Sequence, residues 1–566
     1  MEYKWVLDYD YDEDTVAKIA KELAVPPVMA HVLLNRNIDS FEKARVFFRP
    51  DLENLHDPYL MKDMDKAVDR LHHALSRGEK ILIYGDYDVD GVCGASLLYL
   101  VLSRMVGSKV AYYIPDRMTE GYGLSDVSIR EAAENGFSLI VTVDCGITAN
   151  EEIRLANELG MDTIVCDHHQ PADELPPARA LCDPKRPDCE YPFKELAGVG
   201  VGFKLLQGLY QALNLPISEL DDYLDLVAIG SAADIVPLID ENRILVHHGL
   251  DKINYNARYG VRALLESSGL SGKEITVGLI VFVFAPRINA VGRLGDARRA
   301  VQLLTAQNLQ KARMLARELE KENRLRRDID ETTFKEALEI VETKLDPHND
   351  YAFVVYKKDW HPGVIGIVAS RLVEKFYRPT IMITIVDGIG KGSARSIANF
   401  NIYEAIRDCS HLLSGFGGHK YAAGLTIDED KIPAFVECFK QTAAQKLSPE
   451  DLVSCLRIDA EINFRDFTPR FVRLLKLIGP FGPMNMRPVF MSRNLQVCGT
   501  PTIVGSNHLR LRVEQDGKIF DAIGFNMGEY LDTVELNHGI IDCVFIVEEN
   551  VWNGKTSIQL RLKDLK

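Results

Sequence analysis

The chain has 566 residues, 46% of them apolar and 26% charged, with a formal net charge of −16. That length rules out a single core, calls for three or four domains, and goes with the composition of a soluble globular protein. No run approaches the apolar length of a membrane span, the N-terminus lacks a basic-then-apolar leader, and ten scattered cysteines without a Cys-x-x-Cys pair argue for reduced core thiols in a cytoplasmic protein.

Residues 1–64 are polar and helical in pattern, broken early at Pro26-Pro27, and are expected to form an N-terminal helical cap or adaptor. Residues 65–306 are expected to form one α/β domain. An amphipathic helix over residues 65–78 leads into strands near Ile81, Val110, Leu139, Thr163 and Ala180, with helices between them. This alternation predicts right-handed βαβ units and a doubly wound, mainly parallel sheet. A further helical stretch runs to Ile229, with Ser218 as its expected N-cap, and leads into residues 230–237, which include Asp234.

Residues 307–348 are charged, and from 307 to 344 they lack Gly and Pro, which predicts a solvated connecting helix. From residue 287 to 330 there are 11 Lys/Arg against 6 Asp/Glu, so an acidic chain can still carry a basic channel. A second, smaller α/β domain is expected over 349–448, with strands at 351–356 and 380–385 and helices beginning near Gly363 and Asn401. Over 449–566 the pattern turns to alternating strands, with hairpin turns at Asp516-Gly517 and Asn553-Gly554 and one helix over 468–478. That predicts a C-terminal OB-type β-barrel.

Chemistry concentrates where three apolar runs stop. Residues 81–84 run into Asp86, Asp88 and Asp90; residues 139–143 stop at Asp144; residues 163–166 stop at Asp167-His168-His169. Ligands of open α/β sheets collect beyond the carboxyl ends of the strands. Carboxylates gathered there repel one another and raise one another's pKa unless a divalent cation intervenes. Asp-x-Asp-x-Asp offers oxygen ligands to a hard cation, although Asp-rich loops are also ordinary turn chemistry. Three histidine doublets provide a contrast: His72-His73 and His247-His248 fall inside helical patterns, and only His168-His169 follows an acid at a strand end. A mixed carboxylate–imidazole site tilts toward manganese. The residues thus read as a metal-dependent hydrolase with two ions.

Gly85-Asp86-Tyr87-Asp88-Val89-Asp90-Gly91, Val143-Asp144-Cys145-Gly146, Asp167-His168-His169 and Ala233-Asp234 resemble the four ordered motifs of the DHH phosphoesterase superfamily. Gly417-Gly418-His419 to Ala422-Ala423-Gly424 resembles the motif of its associated substrate domain. The segments 286–293 and 360–366 narrow the resemblance to the single-strand-specific 5′→3′ exonucleases of that superfamily. The resemblance implies that Asp86, Asp88, Asp90, Asp144, His168 and Asp234 hold two Mn²⁺ or Mg²⁺ ions, with Asp144 bridging and Asp86 replacing a histidine that relatives carry at the position of Tyr84. His169 is cast as a scissile-phosphate contact or proton donor, beside His168 and Asp144 in the catalytic set.

In such enzymes two ions ~3.5–4 Å apart activate water and stabilise the attacking and leaving oxygens of an in-line displacement, and the products are 5′-mononucleotides. The resemblance further implies substrate contacts from Arg117, Arg287, Asn289, Arg293, Ser393, Arg395, Gly418 and His419, the arginines gripping the terminal phosphate as forks. For Arg287 and Arg293 interdomain salt bridging stands beside that role. For Arg324, Arg326 and Arg327, channel lining stands beside helix-surface pairing. In the barrel, Arg487, Arg493, Arg510 and Arg512 offer charge, and Phe490, Phe520 and Phe525 the few aromatics for stacking. Many relatives carry Gly-Asn-Pro where this chain has Met484-Asn485-Met486. Single-stranded DNA is the implied substrate, in DNA repair and recombination, with single-strand-binding protein and a helicase as implied partners. Two alternatives remain: a phosphodiesterase for short oligonucleotides, and a non-catalytic strand-binding scaffold.

Overall fold

Five short strands, Ile81–Gly85, Val110–Tyr113, Leu139–Val143, Asp162–Cys166 and Ala180–Cys182, form the predicted parallel sheet in this computed structural model. The structure describes residues 3–8, 11–117, 119–347, 349–536, 538–552 and 555–566, with the backbone alone for 551, 552, 555 and 556. The spatial order of the strands is second, first, third, fourth, fifth. Both faces are covered, which is why the runs are continuously apolar rather than alternating. One face packs against Val89–Val106, Gly198–Ala212 and Leu224–Ala233, the other against Asp126–Glu134 and Asn150–Glu158.

The helix Val89–Val106 is the centre of that first face, with Val92, Cys93, Ala95, Leu97 and Leu98 fully buried. It corrects one expectation. Val89–Lys109 and Val277–Leu294 are each long and apolar enough to cross a membrane, and 67% and 50% of these stretches are buried within the fold. Their apolarity is that of core helices wrapped by other elements.

Two compact units divide the chain: residues 7–320 with 458–566, and residues 3–6 with 321–457. The first unit holds the parallel sheet and, from Ile458 onward, a seven-stranded sheet in which Val489–Val497 pairs both with Ile540–Trp552 and with His508–Gln515, folding the sheet back on itself. The hairpin at Asp516-Gly517 is present: both residues have positive φ and Gln515 pairs with Lys518, the geometry of a two-residue turn. The turn expected at Asn553-Gly554 lies outside the described residues. Pro469–Ile478 is the predicted helix, capped by Thr468 accepting from the Phe471 N–H at 3.2 Å.

Helices Pro27–Leu34 and Phe41–Phe48 join the core of this second sheet: Met29, Val32, Leu33 and Ala44 share a cluster with Phe464, Phe471, Phe490 and Phe545. Arg36 secures the contact, pairing with Asp459 at 2.8 Å and donating to the Asn485 side chain at 3.1 Å and the Met486 carbonyl at 2.7 Å. Phe490 is therefore core, and not available to stack on a base; Phe525 is exposed, beside the Arg561 guanidinium at 5.2 Å. Arg510 and Arg512 project from the exposed face of their strand, alternating with buried Leu509, Leu511 and Val513.

In the second unit Phe353–Lys358 and Thr380–Val386 pair in parallel, followed by three antiparallel strands, Ile389–Arg395, Ala422–Asp428 and Gly415–His419. The glycine-rich Ile389–Arg395 does not read as a strand locally. It is held by pairing on both sides, where Gly390 and Gly392 give Ile383, Leu425 and Ile427 room. The long helix is Leu309–Lys344. Two further expectations fail. Tyr3–Leu7 is a strand paired with Ser454–Ile458, not helix. Ser218 is not an N-cap, because Ile217–Tyr223 is a 3₁₀ turn and the α-helix begins at Leu224.

Candidate metal centre

Gly85, Val143, Cys166 and Cys182 are register partners across four neighbouring strands. The next residues, Asp86, Asp144, Asp167 and Asp183, therefore share one edge of the sheet. All four are nearly or fully buried. A strand period shared by four neighbours turns four distant positions in the chain into one row of carboxyl groups.

The row does not act as one set. Asp167 turns away from the others: it accepts from the Ile147 N–H at 2.9 Å, the His168 N–H at 2.7 Å and His169 Nδ1 at 2.7 Å. Burial raises its carboxyl, but the His169 hydrogen bond and charge outweigh this and hold it below the usual range. It positions the two histidines. Asp183 accepts from the Lys185 N–H at 2.7 Å, and burial pushes its carboxyl to about 7.

The remaining carboxylates converge with His168. Its Nε2 lies 3.1 Å from Asp144, 3.6 Å from Asp234 and 3.9 Å from Asp90. Three overlapping groups, Asp86–Asp88–Asp144, Asp90–His168–Asp234 and Asp144–His168–His169, each place their potential ligand atoms within 4.8 Å of one another. Asp144 belongs to two of them, the arrangement expected of a bridging carboxylate. Every residue of the sequence-derived metal set is brought together here. His169, cast there as a phosphate contact, joins one group, but with Nδ1 taken by Asp167 only Nε2 is left to face a ligand.

Backbone donors aim these groups. Asp88 caps Val89–Val106, accepting from the N–H groups of Asp90 at 2.9 Å and Gly91 at 3.2 Å. Asp90 is gripped by the first N–H groups of a second helix, Gly198 at 2.6 Å and Val199 at 2.9 Å. Asp144 has a left-handed φ of 64°, and the Tyr122 hydroxyl donates to its carbonyl at 2.9 Å while lying 3.1 Å from His169 Nδ1. Nothing in the sequence pattern marked Tyr122, which stands outside every strand and helix.

Gly198 is required by close approach: a Cβ there would sit 2.6 Å from the Asp144 Cβ and 2.8 Å from its Oδ1. Gly198→Ala is expected to cost about 1–3 kcal/mol, read as a fall in urea midpoint at unchanged slope. A variant as stable as the parent would mean that the helix retreats from the strand end without cost.

Burial first, and the neighbouring carboxylates second, push Asp86, Asp90 and Asp144 well above the usual carboxylate range and Asp234 to about 7. Burial, reinforced by the charge of His169, lowers His168 to about 3, leaving the neutral imidazole that ligates metals. Burial opposes charge on His169 too, but Asp167 outweighs it and raises the imidazole to about 9. The buried Asp86 Oδ1 has no hydrogen-bond partner among the described residues. Crowded carboxylates, a neutral imidazole and an orphaned buried oxygen together fit a hard divalent cation.

Around this centre, the Arg117 guanidinium stacks over Tyr87 at 5.1 Å. Asn289 and Arg293 lie on Ala285–Leu294, which packs so closely on Tyr87 that a Cβ at Gly292 would sit 2.7 Å from the Tyr87 carbonyl oxygen. Arg287 is buried, paired with Glu320 at 2.7 Å and donating to the Val283 carbonyl. His72-His73 and His247-His248 are helical, on Met64–Arg77 and Asp240–Asn256, as expected.

In the other unit, Ser393 and Arg395 share one face of their strand, the guanidinium donating to the Ser393 hydroxyl at 3.2 Å. Ala422 pairs with both Arg395 and His419, which brings the hairpin tip beside them. Gly418 has φ +141°, and a Cβ there would sit 2.4 Å from the Ala422 carbonyl oxygen, so this tip demands glycine. Arg326 pairs along its helix with Asp330 and Asn323.

Three family models match: the DHH family N-terminal domain over residues 80–231, the DHHA1 domain over 349–445 and the RecJ OB domain over 458–564. The chain is 40% identical over 98% of its length to the single-stranded-DNA-specific exonuclease RecJ of Bacillus subtilis, covering 70% of that protein. It is 34% identical to the Escherichia coli protein of the same name, over 98% of this chain and 97% of that one. Among solved structures, RecJ of Thermus thermophilus in complex with Mn²⁺ superposes with a TM-score of 0.85 at 30% identity, over the whole of this chain and 79% of that one. An exonuclease RecJ bound to manganese matches with a TM-score of 0.60 at 37% identity, over 71% of this chain and all of that one. With these matches running almost end to end and in one order, the chain belongs to the RecJ family of DHH-type proteins.

Proposed function

We propose that this protein is a single-stranded-DNA-specific exonuclease that works 5′→3′ and releases 5′-mononucleotides, in the cytoplasm, in DNA repair and recombination. One observation carries the reading: carboxylates from three separate chain segments and one neutral imidazole from a fourth meet at a single sheet edge, in a chain of the RecJ family that also carries the OB domain. Residues 1–64, 65–306, 307–348, 349–448 and 449–566 are its working segments: adaptor, catalytic domain, connecting helix, substrate domain and strand-binding domain. Single-strand-binding protein and a helicase are its proposed partners, on the family resemblance alone.

Asp86, Asp88, Asp90, Asp144, His168 and Asp234 are proposed to hold two Mn²⁺ or Mg²⁺ ions. Bound there, such ions neutralise the carboxylates and supply Lewis-acid polarisation and water activation for phosphodiester hydrolysis. The chain's own contribution is to hold its groups before substrate arrives. Gly198 and Val199 fix Asp90, helix capping fixes Asp88, and the Tyr122 hydroxyl fixes the Asp144 backbone. Asp167 orients both histidines, so that His169 offers Nε2 to a non-bridging or leaving oxygen. Arg117, Asn289 and Arg293 flank the centre and are proposed to contact the strand there. Ser393, Arg395, Gly418 and His419 form a second phosphate-binding cluster in their own unit. The pairing of Arg287 with Glu320 favours a positioning role for it.

The test is product analysis on 5′- and 3′-labelled strands across a metal series. With Mn²⁺, 5′-labelled single strands should yield labelled mononucleotide from the first turnover, while blunt duplex resists. Degradation that is equally fast in EDTA would overturn the reading.

A further inference from the structure

Asp234 reaches the centre differently from its neighbours. Asp88 and Asp90 are aimed by backbone N–H groups that bond to their carboxylates. The Asp234 carboxylate, 3.6 Å from His168, receives no such bond among the described residues. It caps the C-terminal end of Leu224–Ala233, so its direction is set by the helix and by the backbone that follows. That backbone is strained. Ile235 takes a left-handed φ of 61°, and at 60% exposure its side chain gains little packing to offset the strain. β-branched residues avoid this region, and helices that end in it usually place glycine there. Such a conformation persists only where the surroundings impose it.

The surroundings include a loop of the OB domain. The Leu238 N–H donates to the Pro483 carbonyl at 2.8 Å, and the Leu238 side chain is fully buried. Gly482 presses on it: a Cβ there would sit 2.6 Å from Leu238 Cδ1 and 2.8 Å from its Cγ. The Asn242 amide also holds this segment, donating to the Pro237 carbonyl at 3.0 Å. The loop itself is well rooted. Arg243 donates to the Ile478 carbonyl at 2.7 Å, and the buried Asn485 amide donates to the Ile478 and Pro480 carbonyls at 2.9 Å each. Gly482 and Asn485 exchange both backbone hydrogen bonds, at 3.1 and 2.9 Å. Met484 inside that turn has a φ of 59°, a conformation that suits the glycine many relatives carry there, and this chain keeps the turn without it.

We propose that residues 479–485 of the OB domain are a positioning element of the metal centre, with Leu238 the residue through which they fix Asp234. The path from contact to ligand is short. Gly482 and Pro483 set Leu238, Leu238 holds residues 235–237 in their strained course, and that course aims the Asp234 carboxylate. Neither Gly482 nor Leu238 belongs to a ligand group; both act through Asp234. Of the three ligand groups, only Asp90–His168–Asp234 contains this acid. The brace therefore bears on one cation and not on the one assigned to Asp86–Asp88–Asp144. The proposal rests on the reading of Asp234 as a ligand, and it gives the OB domain a task beside strand binding that needs no strand.

Calorimetric titration of the full-length protein with Mn²⁺, paired with urea unfolding of the same variants, tests it. The parent should bind two ions, and Asp234→Ala should lose one of the two binding steps. Gly482 lies outside the left-handed region, so its backbone accepts alanine. Gly482→Ala should weaken the Asp234-dependent step about tenfold and leave the other within about twofold. Leu238→Ala, which opens the contact without a clash, should weaken the same step severalfold. Combining the two removes the clashing atoms, so that step should return to within about twofold of the parent, although the urea midpoint stays below the parent's. Affinity regained in a less stable protein marks positioning rather than general loosening. Two steps unchanged or equally weakened in Gly482→Ala, or a double variant no tighter than Gly482→Ala, would overturn the brace. An Asp234→Ala protein that binds both ions like the parent would instead overturn the ligand reading.

Discussion

Asp144→Asn should reduce Mn²⁺-dependent strand cleavage by roughly 10³-fold or more, the scale of removing one member of a concerted catalytic set. The residue is the crossing point of the centre: it belongs to two of the three ligand groups and stands 3.1 Å from His168. The side chains are nearly isosteric, and the backbone at Asp144 is held independently by Tyr122 and by the pairing of its N–H with the Cys166 carbonyl at 2.9 Å. Asparagine also tolerates the left-handed φ found there. The variant should therefore fold, and its affinity for single-stranded DNA in EDTA should stay within about twofold, because the OB domain, the proposed strand-binding element, is untouched. A second readout separates metal loss from other causes. Saturating Mn²⁺ at 100 times its Kd should stabilise the parent by about 2.7 kcal/mol and the variant by far less. Cleavage equal to that of the parent would remove Asp144 from the centre.

Lys204→Met should cost about 3–5 kcal/mol of stability. Lys204 and Glu241 are both fully buried and pair at 2.9 Å. The ammonium also donates to the His56 carbonyl at 2.5 Å; the carboxylate accepts from the Tyr191 hydroxyl at 2.7 Å and from the His56 N–H at 3.0 Å. Burial lowers the Lys204 pKa, with Glu241 pulling it back. Removing the ammonium leaves a buried carboxylate with no compensating charge, and it loosens the loop at His56 from Gly198–Ala212 and Asp240–Asn256. Adding Glu241→Gln to Lys204→Met should recover much of the loss, because the uncompensated charge goes while Tyr191 keeps an acceptor. Urea unfolding of both variants measures it. A single-variant loss below about 1 kcal/mol would mean that water reaches the pair.

Both expectations draw on features that differ in how openly the sequence displays them. The candidate ligands at the strand ends were legible because the signal is local, whereas Asp234, at the C-terminus of the helix Leu224–Ala233, came from the family resemblance alone. Each β-branched run identifies a strand, its abrupt end in acid identifies an edge, and parallel pairing aligns those edges without further information. The same locality made the helical histidine doublets separable from His168-His169, and it made the Asp516-Gly517 turn readable.

Partners distant in the chain were not legible. That Asp167 would turn to the Ile147 N–H, leaving the cluster to its neighbours, depends on a loop twenty residues away. Tyr122 carries no pattern, since it gains its role from a strand end it does not belong to. The core made by Met29, Val32 and Leu33 with Phe471 and Phe490 joins segments more than four hundred residues apart, and the polar helical pattern of the first sixty residues gave no hint of it. Phe490 looked available for stacking for the same reason: strand alternation tells which residues share a face, not which face is covered.

By itself the sequence determined the α/β sheet, the edge at which its acids collect, the order of the segments and the class of cation those acids suit, because these follow from periodicity and from the chemistry of side chains close together in the chain. The tertiary structure alone decided which acids converge on His168 and which turn away to other partners, and which arginine is already paired. Those are outcomes of packing. A carboxylate or ammonium takes whichever partner the folded chain brings within about 3 Å, and no window of neighbouring residues contains that partner.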